Sequence, residues 1–196
     1  MVSKRQSVGL FFGSFNPIHI GHLIIANHMI NESHVDEVWF VVSPQNPLKE
    51  RKNLLTDHHR LDLVNRAIED NYKFRSCDVE FKMPIPSYTI DTLTVMFDKH
   101  PNKDFFLIMG SDNLVSLNKW KNYKSILETT KILVYPRPDS PITESHMHPT
   151  VTLTKAPHIE LSSSLIRQLI KEKKSIKYMV PPVVEQYVLD MHFYED

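Results

Sequence analysis

The stretch Gly13-Ser14-Phe15-Asn16-Pro17-Ile18-His19-Ile20-Gly21-His22 decides how this chain is read. An apolar run over residues 8–12 leads into it, and Leu23, Ile24, Ile25, Ala26, Met29 and Ile30 follow at helical spacing. That pattern predicts a strand, a tight loop and a helix, with two histidines three residues apart where the helix begins. The first amides of a helix lack intrahelical partners and carry partial positive charge, so this end attracts anions. Two imidazoles at that spot point to phosphate chemistry.

Further along, the same alternation continues. Apolar runs predict strands over 37–42, 105–109, 132–135 and 151–153, with a weaker strand-like stretch over 74–81. Amphipathic spacing predicts helices over 22–32, 57–68, 89–99, 162–173 and 182–192, the last two punctuated by Pro181-Pro182. Residues 136–157 are rich in Pro, Ser, Thr and His and read as partly irregular. Continuous apolar strands separated by helices predict an α/β fold: a doubly wound, mostly parallel, Rossmann-like sheet in a single domain over 1–196, with C-terminal helices. Ligands of such sheets bind beyond the carboxyl ends of the strands. The segments GSFNPIH, SPQNP, GSDN and YPRPD each follow a strand and should crowd that one edge.

Bulk properties set the class. The 196 residues carry 23 Lys+Arg and 23 Asp+Glu, so no basic field recruits nucleic acid or an anionic membrane. No apolar stretch approaches the ~20 residues that span a bilayer, and MVSKRQSVGL lacks the apolar segment of a secretion signal. The single cysteine, Cys77, excludes an internal disulfide framework. The expectation is a cytoplasmic globular protein, with a homo-oligomer left open. Only four glycines occur, and Gly13, Gly21 and Gly110 fall in candidate functional loops, where each should mark a special backbone angle or a close approach to a ligand.

Two more segments carry chemistry. In Leu161-Ser162-Ser163-Ser164-Leu165-Ile166-Arg167, serines at a helix start can cap amides or bond phosphate oxygens, and the Arg167 fork can reach the same anion. A plain capped amphipathic helix fits that segment equally. In Gly110-Ser111-Asp112-Asn113 a carboxylate can accept two ribose hydroxyls, or cap a helix. The pairs His19/His22, His58/His59 and His146/His148 have no third ligand at zinc spacing, so no protein metal site is predicted.

G-x-F-x-P-x-H-x-G-H resembles the signature of the HxGH nucleotidyltransferases, which join a nucleoside triphosphate to a phosphate-bearing acceptor and release pyrophosphate. LSSSLIR resembles their ISSTxIR motif, and GSDN their IGxD element. With Pro86-Ser87-Tyr88-Thr89, Trp120 and Arg137-Pro138, nearly the whole chain is similar to the bacterial nicotinate-mononucleotide adenylyltransferases. The resemblance implies transfer of the adenylyl group of ATP to nicotinate mononucleotide, giving deamido-NAD in NAD biosynthesis. It implies His19, His22 and Arg167 as catalytic. It implies Gly13, Ser14, Phe15, Gly21, Gly110, Asp112, Ser163, Ser164 and Arg167 as ATP-binding, and Asn46, Lys49, Thr89, Trp120 and Arg137 as acceptor-binding. Mg²⁺ would arrive with ATP, held by phosphate oxygens and water. The chain departs from the family pattern at Phe12, Asn16, Leu48 and Lys121, where a glycine, an aspartate, a histidine and a tyrosine are common. The alternatives are a related enzyme acting on nicotinamide mononucleotide or phosphopantetheine, and a nucleotide-binding regulator without turnover.

Overall fold

The computed structural model describes residues 5–44 and 54–195. Its strands are β1 (Gln6–Gly13), β2 (Glu37–Val42), β3 (Phe74–Cys77), β4 (Lys103–Gly110), β5 (Lys131–Tyr135) and β6 (Val151–Leu153). They form one sheet in the order β3-β2-β1-β4-β5-β6, with every neighbouring pair parallel. All carboxyl ends therefore share one edge, as the loop pattern requires. The helices are α1 (Ile20–Glu32), α2 (Asp57–Ile68), α3 (Thr89–Lys99), α4 (Ser111–Val115), α5 (Tyr123–Thr129), α6 (Ser163–Lys171) and α7 (Pro182–Asp190).

Side chains of a strand alternate between faces, and both faces of this sheet are covered. Phe11, Val38 and Phe40 point into a layer built with Ile25 and Met29 of α1, Leu63 and Val64 of α2, Ile166 of α6 and Val184 of α7. Val8, Leu10, Trp39 and Val41 meet Leu93 and Met96 of α3, Leu114 of α4 and Ile126 of α5 on the other face. Burial on both sides is why β2 reads as the uninterrupted EVWFVV.

Three expectations are corrected. The stretch 74–81 is strand only to Cys77 and then a 3₁₀ turn, Val79–Lys82. The reason is Glu80, buried with its carboxylate accepting from Ser87 Oγ at 2.7 Å and Thr92 Oγ1 at 2.8 Å. A strand would turn that carboxylate away from both hydroxyls. Helices α4 and α5, of five and seven residues, are too short to leave a periodic signal. No glycine has a positive φ; the left-handed residue of the first loop is Phe15, at φ 45°. Among the described residues no helix is long and apolar enough to cross a membrane.

Candidate active site

The strand order reverses direction between β1 and β4, the topological switch where open parallel sheets bind ligands. The loop from Gly13 to Pro17 lies there. Its left-handed Phe15 carries a backbone cost of about 1–3 kcal/mol. Burial offsets it: the ring is 1% exposed, edge-on to Phe11, Phe40 and His22 at centroid distances of 5.9, 5.6 and 5.1 Å. Gly13 makes room for it, since a Cβ there would lie 2.8 Å from Phe15 Cζ. Phe15 thus shapes the loop from the core, and only its backbone is left for a nucleotide.

Side chains from distant elements hold the loop's oxygens. Ser14 O accepts from Arg60 Nη1 at 2.7 Å, Asn16 O from Arg167 Nη1 at 2.8 Å, and Pro17 O from Ser163 Oγ at 2.9 Å. Asn16 Oδ1 accepts from Leu55 N–H at 3.2 Å and from the Tyr194 hydroxyl at 2.7 Å. Carbonyl oxygens repel phosphate, so tethering them to protein donors keeps their negative ends occupied. Asn16 suits this: it is 3% exposed, and a carboxylate there would be a buried charge. Ser162 caps α6 by accepting from Leu165 N–H, and Arg167 Nη2 donates to Ser164 Oγ at 3.2 Å. The serine motif is therefore both a capped helix and the wall of the loop.

His19 is the N-cap residue of α1, in extended backbone, and His22 stands three residues on. Their rings stack with centroids 3.7 Å apart. His19 N–H donates to His22 Nδ1 at 3.2 Å, which places the proton of a neutral His22 on Nε2. Burial, helped by the positive charge of Arg137, pushes His19 down to about 4. At that value His19 is neutral at pH 7. Gly21 lets the pair close up, because a Cβ there would come within 3.0 Å of His19 Nδ1. The helix start contributes fewer amides than the sequence suggests: Ile20 N–H donates to Met179 O and His22 N–H to His19 O, both at 2.9 Å.

The His19 shift makes stability pH-dependent. The unfolded chain, with an ordinary histidine, binds a proton as pH falls below about 6.5, while the folded chain resists until about 4. Stability contributed by the neutral ring is complete above pH 6.5 and drains away between 6.5 and 4, by about 3 kcal/mol in all. His19→Asn should flatten that limb. Urea midpoints at pH 7 and 4.5 check it, and equal pH dependence in both proteins would refute the assignment.

On the β4–β5 side, Gly110 is the N-cap of α4, and the exposed Asp112 carboxylate lies 3.9 Å from Arg137 Nε. Arg137 N–H donates to Ser111 Oγ at 2.9 Å. The contacts of Arg137 within the protein are thus with Ser111, Asp112 and Tyr135. Thr89 begins α3, and the neighbouring residues link it to Trp120: Lys121 Nζ sits 2.8 Å from Asp91 Oδ2 and 4.8 Å above the Tyr88 ring. Asn46 and Lys49 lie outside the described residues.

Among the described residues, four buried side-chain polar atoms have no hydrogen-bond partner: His19 Nδ1, His28 Nε2, Trp120 Nε1 and Arg137 Nε. Three of these belong to residues the sequence assigns to substrates. Buried polar groups are normally satisfied, so each of these atoms calls for a partner that the protein itself does not supply. Sequence reasoning missed Arg60, Glu80 and Tyr194. Arg60 had a signal, since it lies on the apolar stripe it shares with Leu63, Val64, Ala67 and Ile68.

Comparison with known proteins agrees. The family described as cytidylyltransferase-like matches residues 10–169. A "Probable nicotinate-nucleotide adenylyltransferase" of Cytophaga hutchinsonii is 50% identical over 97% of this chain and 100% of its own length. One of Bacteroides thetaiotaomicron with the same name is 45% identical, over 95% and 92%. The chain belongs to the nicotinate-nucleotide adenylyltransferase family. Its fold matches a Plasmodium falciparum nicotinic acid mononucleotide adenylyltransferase solved with NaAD, at a TM-score of 0.82 and 22% identity over 97% and 98% of the two chains. Within the nicotinate-nucleotide adenylyltransferase family, then, this chain builds its HxGH pair as an imidazole stack at the head of α1, with His19 neutral at pH 7.

Proposed function

We propose that the chain transfers the adenylyl group of ATP to nicotinate mononucleotide, giving deamido-NAD and pyrophosphate in NAD biosynthesis. The observation that carries the reading is the stacked His19/His22 pair beside a loop whose carbonyls are tied back into the protein, in a chain half identical to relatives bearing that name. An acceptor phosphate oxygen attacks the α-phosphorus in line. The new P–O bond forms as the bond to the β-phosphate bridge breaks, and pyrophosphate leaves with the electron pair. The nucleophile is already an anion, so no protein base is needed, and catalysis is alignment plus charge stabilisation.

Each residue then has a role. His22, its Nδ1 held by the His19 amide, meets the phosphates through the rest of its ring, and His19 meets them with the edge that has no hydrogen-bond partner in the protein. Ser163, Ser164 and Arg167 hold the β,γ end, with Arg167 keeping donors beyond the two it gives to Asn16 and Ser164. Gly13, Ser14, Phe15 and Gly21 contribute backbone. Gly110 and Asp112 seat the ribose, with Arg137 beside them. Thr89 and Trp120 hold the pyridine ring, and Asn46 and Lys49 the acceptor phosphate. The described residues contain no group of three His, Cys, Asp or Glu able to cage a metal ion. A divalent cation, Mg²⁺ on this reading, would arrive with the nucleotide substrate and be held chiefly by its phosphate oxygens and water. When bound it neutralises charge on the leaving pyrophosphate.

The acceptor tests the reading. A carboxylate needs donors, and Thr89 opens α3 with a hydroxyl at the positive end of the helix, where Asp91 N–H is already taken by Tyr88 O. A carboxamide would present its NH₂ to those donors, at a cost of about 1–3 kcal/mol. Trp120 stacks on either ring and discriminates little. kcat/KM at saturating ATP should favour nicotinate over nicotinamide mononucleotide by at least ~10-fold. Equal values would reject a carboxylate-selective site.

A further inference from the structure

Arg60 is an arginine on the core stripe of α2, with no solvent exposure at all. Its five N–H donors are all committed. Nε donates to Leu55 O at 3.0 Å; Nη1 donates to Ser14 O and Ser43 O, both at 2.7 Å; Nη2 donates to Pro44 O at 3.2 Å and to the Asp57 carboxylate at 2.5 Å. Four acceptors are backbone carbonyls from three segments far apart in sequence. A leucine or methionine would complete the α2 stripe without burying a charge. Burial pulls the guanidinium's pKa down, and Asp57, which supports the cation, is among the described residues the only carboxylate bonded to it.

What the charge achieves is geometric. Ser14 sits in the loop that the proposed reaction assigns to the triphosphate, and Ser43 and Pro44 follow β2 on the side assigned to the acceptor. One rigid planar fork spans both, bonding Ser14 and Ser43 through the same nitrogen. We infer that Arg60 is a positioning residue that sets the separation of the nucleotide loop and the segment after β2, and so aligns the two phosphates for in-line attack. It touches neither substrate. This rests on the reaction proposed above. Alignment errors of about 1 Å can cost 10²-fold in rate, so a fork of fixed width has a kinetic consequence beyond stability.

The test separates alignment from folding. Arg60→Lys keeps the charge but has three donors on a flexible stem, and Arg60→Gln keeps polarity without charge. Both should lower Tm. Binding of a non-hydrolysable ATP analogue alone should change by no more than about threefold, while kcat with both substrates should fall roughly 10–100-fold, more for Gln than for Lys. A lowered Tm with kcat within about twofold of the parent would overturn the proposal, because a merely structural arginine gives that result. Should neither variant fold, the parent protein decides through NMR of its Arg60 side chain. The guanidinium protons should exchange slowly, and more slowly still with the ATP analogue and nicotinate mononucleotide bound together. Exchange indifferent to both ligands would overturn the proposal as well. The parent assayed with ATP and nicotinate mononucleotide stands as a separate control: no pyrophosphate release there counts against the reaction, and the exchange measurement still judges Arg60.

Discussion

His22→Ala should lower kcat by roughly 10²–10³-fold and change the KM for either substrate far less. The expectation follows from the tautomer and the position. With Nδ1 accepting from the His19 amide at 3.2 Å, the ring of His22 is fixed in place at the head of α1, and in its neutral form carries its proton on Nε2. A donor fixed before the reaction begins stabilises charge that grows on the phosphoryl oxygens without reorganising to do so. His19→Ala should act to a similar degree, with an added loss of order, since removing the stacked ring leaves His22 without its 3.7 Å neighbour. Steady-state kinetics on folded variants, checked by circular dichroism, measure the effect. A change confined to KM would mean that the pair binds only the ground state.

Arg167→Lys should weaken binding of ATP, and of pyrophosphate in the reverse reaction, by roughly 10–100-fold. The guanidinium already bridges two places, donating to Asn16 O at 2.8 Å and Ser164 Oγ at 3.2 Å. A planar fork can keep one arm on the loop while presenting another to a phosphate, and an ammonium cannot do both in one plane. The predicted loss therefore has two parts: a weaker grip on phosphate and a slacker loop. Unchanged constants for both ligands would return Arg167 to an ordinary place on its helix.

The parts of this protein that were legible beforehand are those with long, regular patterns. The five helices longer than eight residues and the four longer strands repeat a hydrophobic period or run apolar over several turns or pleats, and that pattern is readable from sequence alone. The shared edge of the loops followed from parallel strands alone. What escaped is what depends on partners far away in sequence. Glu80 looked like one residue of a strand until Ser87 and Thr92 came to its carboxylate. Phe15 was legible as part of the loop motif but not as its left-handed residue, because that backbone is stabilised by packing against the rings of Phe11, Phe40 and His22. Arg60 broke the pattern of its own helix, and that break was the one visible trace of its role.

The loop's supports have a consequence for the order in which the molecule assembles. Ser163, Arg167 and Tyr194 reach back across 146, 151 and 178 positions to Pro17 and Asn16. Contacts that close such long spans return nothing until the intervening chain has condensed, so they belong among the last to form. The sheet from β1 to β5 can therefore be complete while the phosphate loop is still without its braces. On a ribosome, the catalytic edge is expected to mature only when residue 194 has emerged, long after the core has been laid down. Folding and competence to react are two events in this protein, separated in time by the length of the chain.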